Sequence, residues 1–124
     1  ELLLQRRKDN GEWGYAGGAV ELYERVEDAA ARELLEETGL IADELKLLGV
    51  FSGPRLRHTY PNGDQVSTVD IVYLCRRYHG QLCCQPEEVA ELAFFPIDRL
   101  PTPLFSPQLP AFEAVQQLLL GSNP

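Results

Sequence analysis

The sequence predicts an α/β domain, a mixed β-sheet sandwiched between helices, and three observations carry that expectation. The apolar pattern runs from strand-like to helix-like, back to several strands, then to a closing helix. The chain has 124 residues, enough for one core over 1–124 and too few for two. Hydrophobic residues make up 44% of it and charged residues 24%, an ordinary balance for a globular protein.

The elements follow in order. Residues 1–8 read as a strand closed by the turn Asp9-Asn10-Gly11, and a chain without Met that opens on Leu2-Leu3-Leu4 suggests a natural start upstream of Glu1, with room there for an N-terminal strand. Glu12 to Ala16 reads as a short extended piece. Glu24 to Thr38 contains no Pro or Gly and is followed by Gly39, the pattern of a helix and its stop signal. Residues 44–51 form a strand ended by Ser52-Gly53-Pro54. Arg55–Tyr60 and Gln65–Tyr78 flank Asn62-Gly63, a strong hairpin signal. The apolar centre of the second arm, Val69 to Cys75, predicts a strand covered on both faces. Short strands are expected at 81–85 and 91–95. Five prolines between Pro96 and Pro110 predict an irregular stretch, and Ala111–Leu120 reads as a helix stopped by Gly121.

No apolar run approaches the ~20 residues that cross a bilayer, so no membrane partner is expected. Cys75, Cys83 and Cys84 are an odd set without CxxC spacing. They read as free thiols in a reducing cytoplasm, not as a disulfide framework or zinc ligands. The net charge is −8, of which residues 21–44 carry −7. Such a patch repels a phosphate backbone, so general nucleic-acid binding is not expected.

On a helical wheel Val26, Ala30, Glu33 and Glu37 share one narrow sector, with Ala29 and Glu36 at its flank. Two carboxylates thus fall on the stripe that an amphipathic helix turns inward, and a third lies beside it. Geometry alone leaves two readings open, an exposed acidic face or a site for a hard divalent cation, whose preferred ligands are carboxylate oxygens.

The spacing separates them. Gly18, then Glu24, then Arg32-Glu33-Leu34-Leu35-Glu36-Glu37-Thr38-Gly39-Leu40 resembles the signature of the Nudix hydrolases. Leu2–Arg7, Gly17-Gly18 and Phe94-Phe95-Pro96 agree with the same family, so the resemblance covers most of the chain. It implies a Nudix α/β/α sandwich that hydrolyses a diphosphate bond in a nucleoside diphosphate linked to another group, with Mg²⁺ or Mn²⁺ as cofactor. The substrate class is ADP-ribose-like molecules or nucleoside triphosphates. Residue by residue, the resemblance makes Glu33, Glu36, Glu37 and the Gly17 carbonyl metal ligands. It gives Arg32 the task of orienting the carboxylates and Glu24 a supporting place. Glu88 best matches a loop acid that assists catalysis, with Glu87 and Glu91 as rivals. A homodimer follows from family analogy alone.

Pyrophosphate cleavage needs charge neutralisation and a placed water more than a covalent nucleophile. No Ser-His-Asp arrangement is required, and His58 and His79 read as surface residues. Arg7 and Arg55 are candidates to meet a substrate phosphate. Trp13 is a candidate to stack on a base, or else a core residue. The family often has Pro where this chain has Ala16, and Gly where it has Tyr23, which puts the loop's shape in question. The alternative function is a nucleotide-sensing Nudix-like domain that binds without cutting; such domains usually lack the acids retained here.

Overall fold

The structure, a computed structural model, describes residues 1–83 and 87–121, apart from the side chain of His58. In chain order it contains β1 (Leu2–Arg7), β2 (Trp13–Gly14), α1 (Val26–Thr38), β3 (Leu40–Phe51), β4 (Arg57–Thr59), β5 (Gln65–Ser67), β6 (Asp70–Gly80), β7 (Val89–Phe95) and α2 (Leu109–Leu120). Single 3₁₀ turns occupy Pro54–Leu56 and Ser106–Gln108.

Strand β1 organises the fold. It pairs antiparallel with β2 through Gln5 and Arg6, and with β7 from Leu2↔Phe95 to Arg7↔Val89. Strands alternate their side chains between two faces, and β1 uses both. Leu4 is buried with Trp13 and with Phe112 of α2. The next residue, Gln5, points its amide at Glu37 of α1. The helices therefore cover opposite faces of β1, which is the layering the sequence predicts. Strands β3 and β6 form a second antiparallel pair, β4 and β5 a hairpin. The parallel element of the sheet system is a bridge between Trp13 and Leu104.

Several boundaries depart from the sequence reading; β3 already begins at Leu40, directly after the Gly39 stop, and β7 at Val89. The first helix begins at Val26, not Glu24, because Tyr23 stands at φ 64° and Glu24 is bent back in a turn, its amide on the Glu21 carbonyl at 3.0 Å. The expected strand 65–78 is two strands, since the Thr68 amide and hydroxyl both turn to the Leu56 carbonyl. Residues 81–83 are not a strand, because the Cys83 amide bonds the Thr38 carbonyl at 2.8 Å; the rest of that expected strand lies outside the described residues. The last helix starts two residues early, with Pro110 in its first turn, where a missing N–H costs nothing.

The expectation that Val69–Cys75 is covered on both faces also fails. Val69 and Ile71 are exposed, and an apolar cleft of about 920 Å³ separates β1 from β6. No helix of the described residues is long and apolar enough to cross a membrane.

Candidate active site

The first helix ends where the site begins. Gly39 takes a left-handed conformation (φ 82°) and returns its amide to the Leu35 carbonyl at 2.9 Å. A side chain there would meet the Gln81 carbonyl and Cys83, so glycine is required on two counts. The turn fixes the last helical residues against the strands and presses Glu37 inward.

Glu37 is 6% exposed, the one buried charged residue among those described. Both of its oxygens are held. Gln5 Nε2 donates to Oε1 at 2.6 Å, and the Gly17 amide donates to Oε2 at 3.0 Å. Burial pushes its carboxyl up to about 7; the Gln5 and Gly17 hydrogen bonds pull against that shift, and neighbouring Glu33 adds to it. Glu33 is a hydrogen-bonding neighbour of Glu37, so two carboxylates meet here.

Glu33 is held in turn by Arg32, whose Nη1 donates to it at 2.8 Å. Arg32 is the hub of the cluster. Its guanidinium also reaches Glu24, Glu36, Glu21 and the Ala19 carbonyl. These contacts raise its pKa and hold the Glu24 carboxyl below the usual range. Arg32 thus bonds Glu24, Glu33 and Glu36 at once.

Glu36 stands apart. It is exposed and drawn to Arg32 at 3.3 Å, away from Glu37. Among the described residues no three acidic, His or Cys side chains are gathered tightly enough to hold an ion as they stand. The donor chemistry nevertheless fits a hard divalent cation. The close pair is all carboxylate oxygen, Arg32 reaches it through Glu33, and the backbone opens to receive it. A Cβ built on Gly18 would lie 2.5 Å from the Glu33 carboxylate, so Gly18 makes the cradle. Gly17 reaches Glu37 through its N–H, and that is the contact the structure gives this residue.

A cavity of about 340 Å³ adjoins Glu37, lined also by Gln5, Arg7, Lys8, Glu87 and Glu88. The Lys8 amide bonds the Glu88 carbonyl at 3.1 Å, which ties the downstream acids to the end of β1. Glu91 does not line it; it faces Arg6 across the strand pair and bonds it at 3.3 Å. Arg7 is at the cavity, gripped by Asp9 through two hydrogen bonds and stacked 4.1 Å above the Phe105 ring.

The other two substrate-binding candidates have partners elsewhere, and of the two readings of Trp13 the structure shows the core one. Trp13 is 8% exposed and packs edge-on against Phe95 at 4.9 Å, so it is a core residue with no face for a base. Arg55 pairs with Glu113 of α2 at 3.4 Å and lies away from the Glu37 cavity. His79 is on the surface, bonded to Asp43; the side chain of His58 lies outside the description.

The structure adds Gln5, which reading the sequence missed. The signal was present: Gln5 follows three leucines on a strand whose alternation turns it inward, and an inward amide needs a partner.

Comparison with known proteins agrees with this geometry. The family model described as the NUDIX domain matches residues 1–115. An ADP-ribose pyrophosphatase of Methanocaldococcus jannaschii is 38% identical over 104 residues, covering 82% of this chain and 57% of the relative. A solved MutT Nudix hydrolase from Burkholderia pseudomallei is 34% identical, with a TM-score of 0.78 over 91% of this chain and 86% of that one. The Nudix domain of Shewanella oneidensis NrtR, solved in complex with ADP ribose, shares the fold at a TM-score of 0.73 and 23% identity over 94% of this chain and 76% of that one. The chain spans little more than half of the M. jannaschii relative's length. With most of its residues matched and its acidic helix set as the signature requires, the chain belongs to the Nudix family.

Proposed function

We propose that the chain is a pyrophosphohydrolase that uses Mg²⁺, with Mn²⁺ able to replace it, to cleave a diphosphate bond in a nucleotide derivative. The observation that carries this reading is Glu37: a buried carboxylate, held on both oxygens, beside Glu33, at the wall of a cavity also lined by Arg7 and Lys8 and by Asp9, Glu87 and Glu88. Hydrolases of this family work with divalent metals. Glu33 and Glu37 would hold the ion, joined by Glu36 after a turn of its side chain away from Arg32. When bound, the ion neutralises phosphate charge and favours attack by water.

The chain's own residues set the rest. Arg32 keeps Glu24 and Glu33 in place. Arg7 and Lys8 supply positive charge toward the far phosphate. Glu88, with Glu87 beside it, is the acid placed to take a proton from the attacking water, and Glu91 is withdrawn from that role by Arg6. The M. jannaschii relative and the ADP-ribose complex support an ADP-ribose-like substrate, and oxidized purine nucleoside triphosphate hydrolases among the relatives keep triphosphates in view. Free thiols at Cys75 and Cys83 fit a reducing compartment such as the cytoplasm.

The test is product release from ADP-ribose, NADH, nucleoside triphosphates and nucleotide sugars, with and without Mg²⁺, for wild type beside Glu37→Gln. Turnover that needs metal and falls at least about a hundredfold in the variant establishes the hydrolase. No turnover, with Mg²⁺-dependent nucleotide binding intact, establishes the sensing domain instead.

A further inference from the structure

Glu37 takes one hydrogen bond from the loop and one from the sheet, with Glu33 of its own helix as a further hydrogen-bonding neighbour. The sheet bond is the shorter, 2.6 Å from Gln5 Nε2. Gln5 is mounted where β1 is paired on both sides, to Gly14 of β2 and to Leu92 of β7. That part of the backbone has little freedom to shift.

The side chain itself is costly to keep. Gln5 is 9% exposed, and its Oε1 is buried without a hydrogen-bond partner. Fully apolar residues precede it, and a buried amide satisfied at one end only is worse for packing than a methionine of the same length. Its orientation is set by chemistry. In its ionised form, the one that takes a cation, the Glu37 carboxylate has no proton to donate, so the Nε2 end is the one that faces it. The same residue also lines the cavity beside Glu37. Space filling explains none of these features, and aiming a carboxylate explains them together.

We infer that Gln5 is a positioning residue that fixes the plane of the Glu37 carboxylate for metal binding and turnover. The inference rests on the metal-dependent reading of Glu37. Outer partners that orient a ligand commonly change metal affinity or activity about 10–100-fold when removed.

The experiment compares wild type, Gln5→Met, Gln5→Asn and Glu37→Gln. It measures Mg²⁺-dependent kcat and KM on ADP-ribose and dGTP, Mn²⁺ affinity by calorimetry, and thermal unfolding. Gln5→Met keeps length and removes the donor; Gln5→Asn keeps the amide and withdraws it by one methylene. The expected result for both is a folded protein with kcat down about 10–100-fold, KM within about threefold, and Mn²⁺ binding about tenfold weaker. Should Gln5→Met fail to fold, Gln5→Asn gives the reading. Wild-type kcat and Mn²⁺ affinity in a folded variant would overturn the inference while leaving the hydrolase intact. So would a loss confined to KM, which would make Gln5 a substrate contact. If wild type itself is inactive, the hydrolase reading fails separately, and unchanged Mn²⁺ affinity in the Gln5 variants then overturns this inference too.

Discussion

Arg32 grips Glu24 through two parallel hydrogen bonds, Nε to Oε2 at 2.8 Å and Nη2 to Oε1 at 3.1 Å. Its remaining donor, Nη1, holds Glu33 and reaches Glu36. This fork joins the loop before α1 to the carboxylates on it, and only a planar guanidinium has donors for all of them. Arg32→Lys keeps the charge and loses the fork. The expected result is a fall in turnover of about 10–100-fold with the fold intact, read by steady-state kinetics beside circular dichroism. Near wild-type turnover would show that charge alone suffices.

Gly18 offers a second test of the same cluster. Its Cβ position is occupied by the Glu33 carboxylate, 2.5 Å away, and that group is the far end of a flexible side chain. Gly18→Ala should therefore cost little stability, because Glu33 can swing aside. Moved aside, it leaves the 2.8 Å bond to Arg32 and its place beside Glu37. We expect turnover down about 10–100-fold and weaker Mn²⁺ binding, with a melting temperature close to wild type. Unchanged kinetics would mean that Glu33 need not sit where it does.

What was legible in the sequence follows from the range of each interaction. The inward stripe of α1 depends only on local periodicity, and Glu37 and Ala29 are buried as the wheel requires. Local pattern left Trp13 with two readings and gave Arg55 no place, because their partners are distant: Phe95 and Leu104 enclose the one, and Glu113 pairs with the other. The proposed preference for Glu88 over Glu91 likewise rests on the β1–β7 register, which sets Glu91 opposite Arg6. No local pattern encodes that pairing. The split of the long strand came from two bonds between Thr68 and Leu56, twelve residues apart in sequence.

Tyr23 answers the question raised by its departure from the family pattern. It holds φ at 64°, a left-handed conformation that disfavours residues bearing a Cβ, and its side chain is 96% exposed. The strain is not offset by packing. Tyr23→Gly should stabilise the protein by about 0.5–1 kcal/mol, after glycine's own entropy is counted. Differential scanning calorimetry should then show a melting temperature higher by about 2–4 °C. A lower one would mean that the exposed ring makes a contact worth more than the strain.

Glu37 gives the clearest pH signature. Its carboxyl lies near 7 in the folded metal-free protein against 4.5 as the ordinary value, so the native state holds an extra proton between those two pH values. The state that binds more protons gains stability as pH falls. The contribution is therefore complete below about pH 4.5 and is lost as pH rises toward 7. A shift of that size corresponds to roughly 3 kcal/mol. Glu24 and Asp9 are shifted downward and act in the opposite sense, below pH 4.5, so their effect falls outside this window. Chemical denaturation of metal-free protein from pH 4.5 to 7 should show the loss, and Glu37→Gln should flatten it. Mg²⁺ takes the ionised form, so binding at pH 6 should expel a proton, seen by calorimetry in buffers of different ionisation enthalpy. Binding without proton release at pH 6 would remove Glu37 from the ligand set.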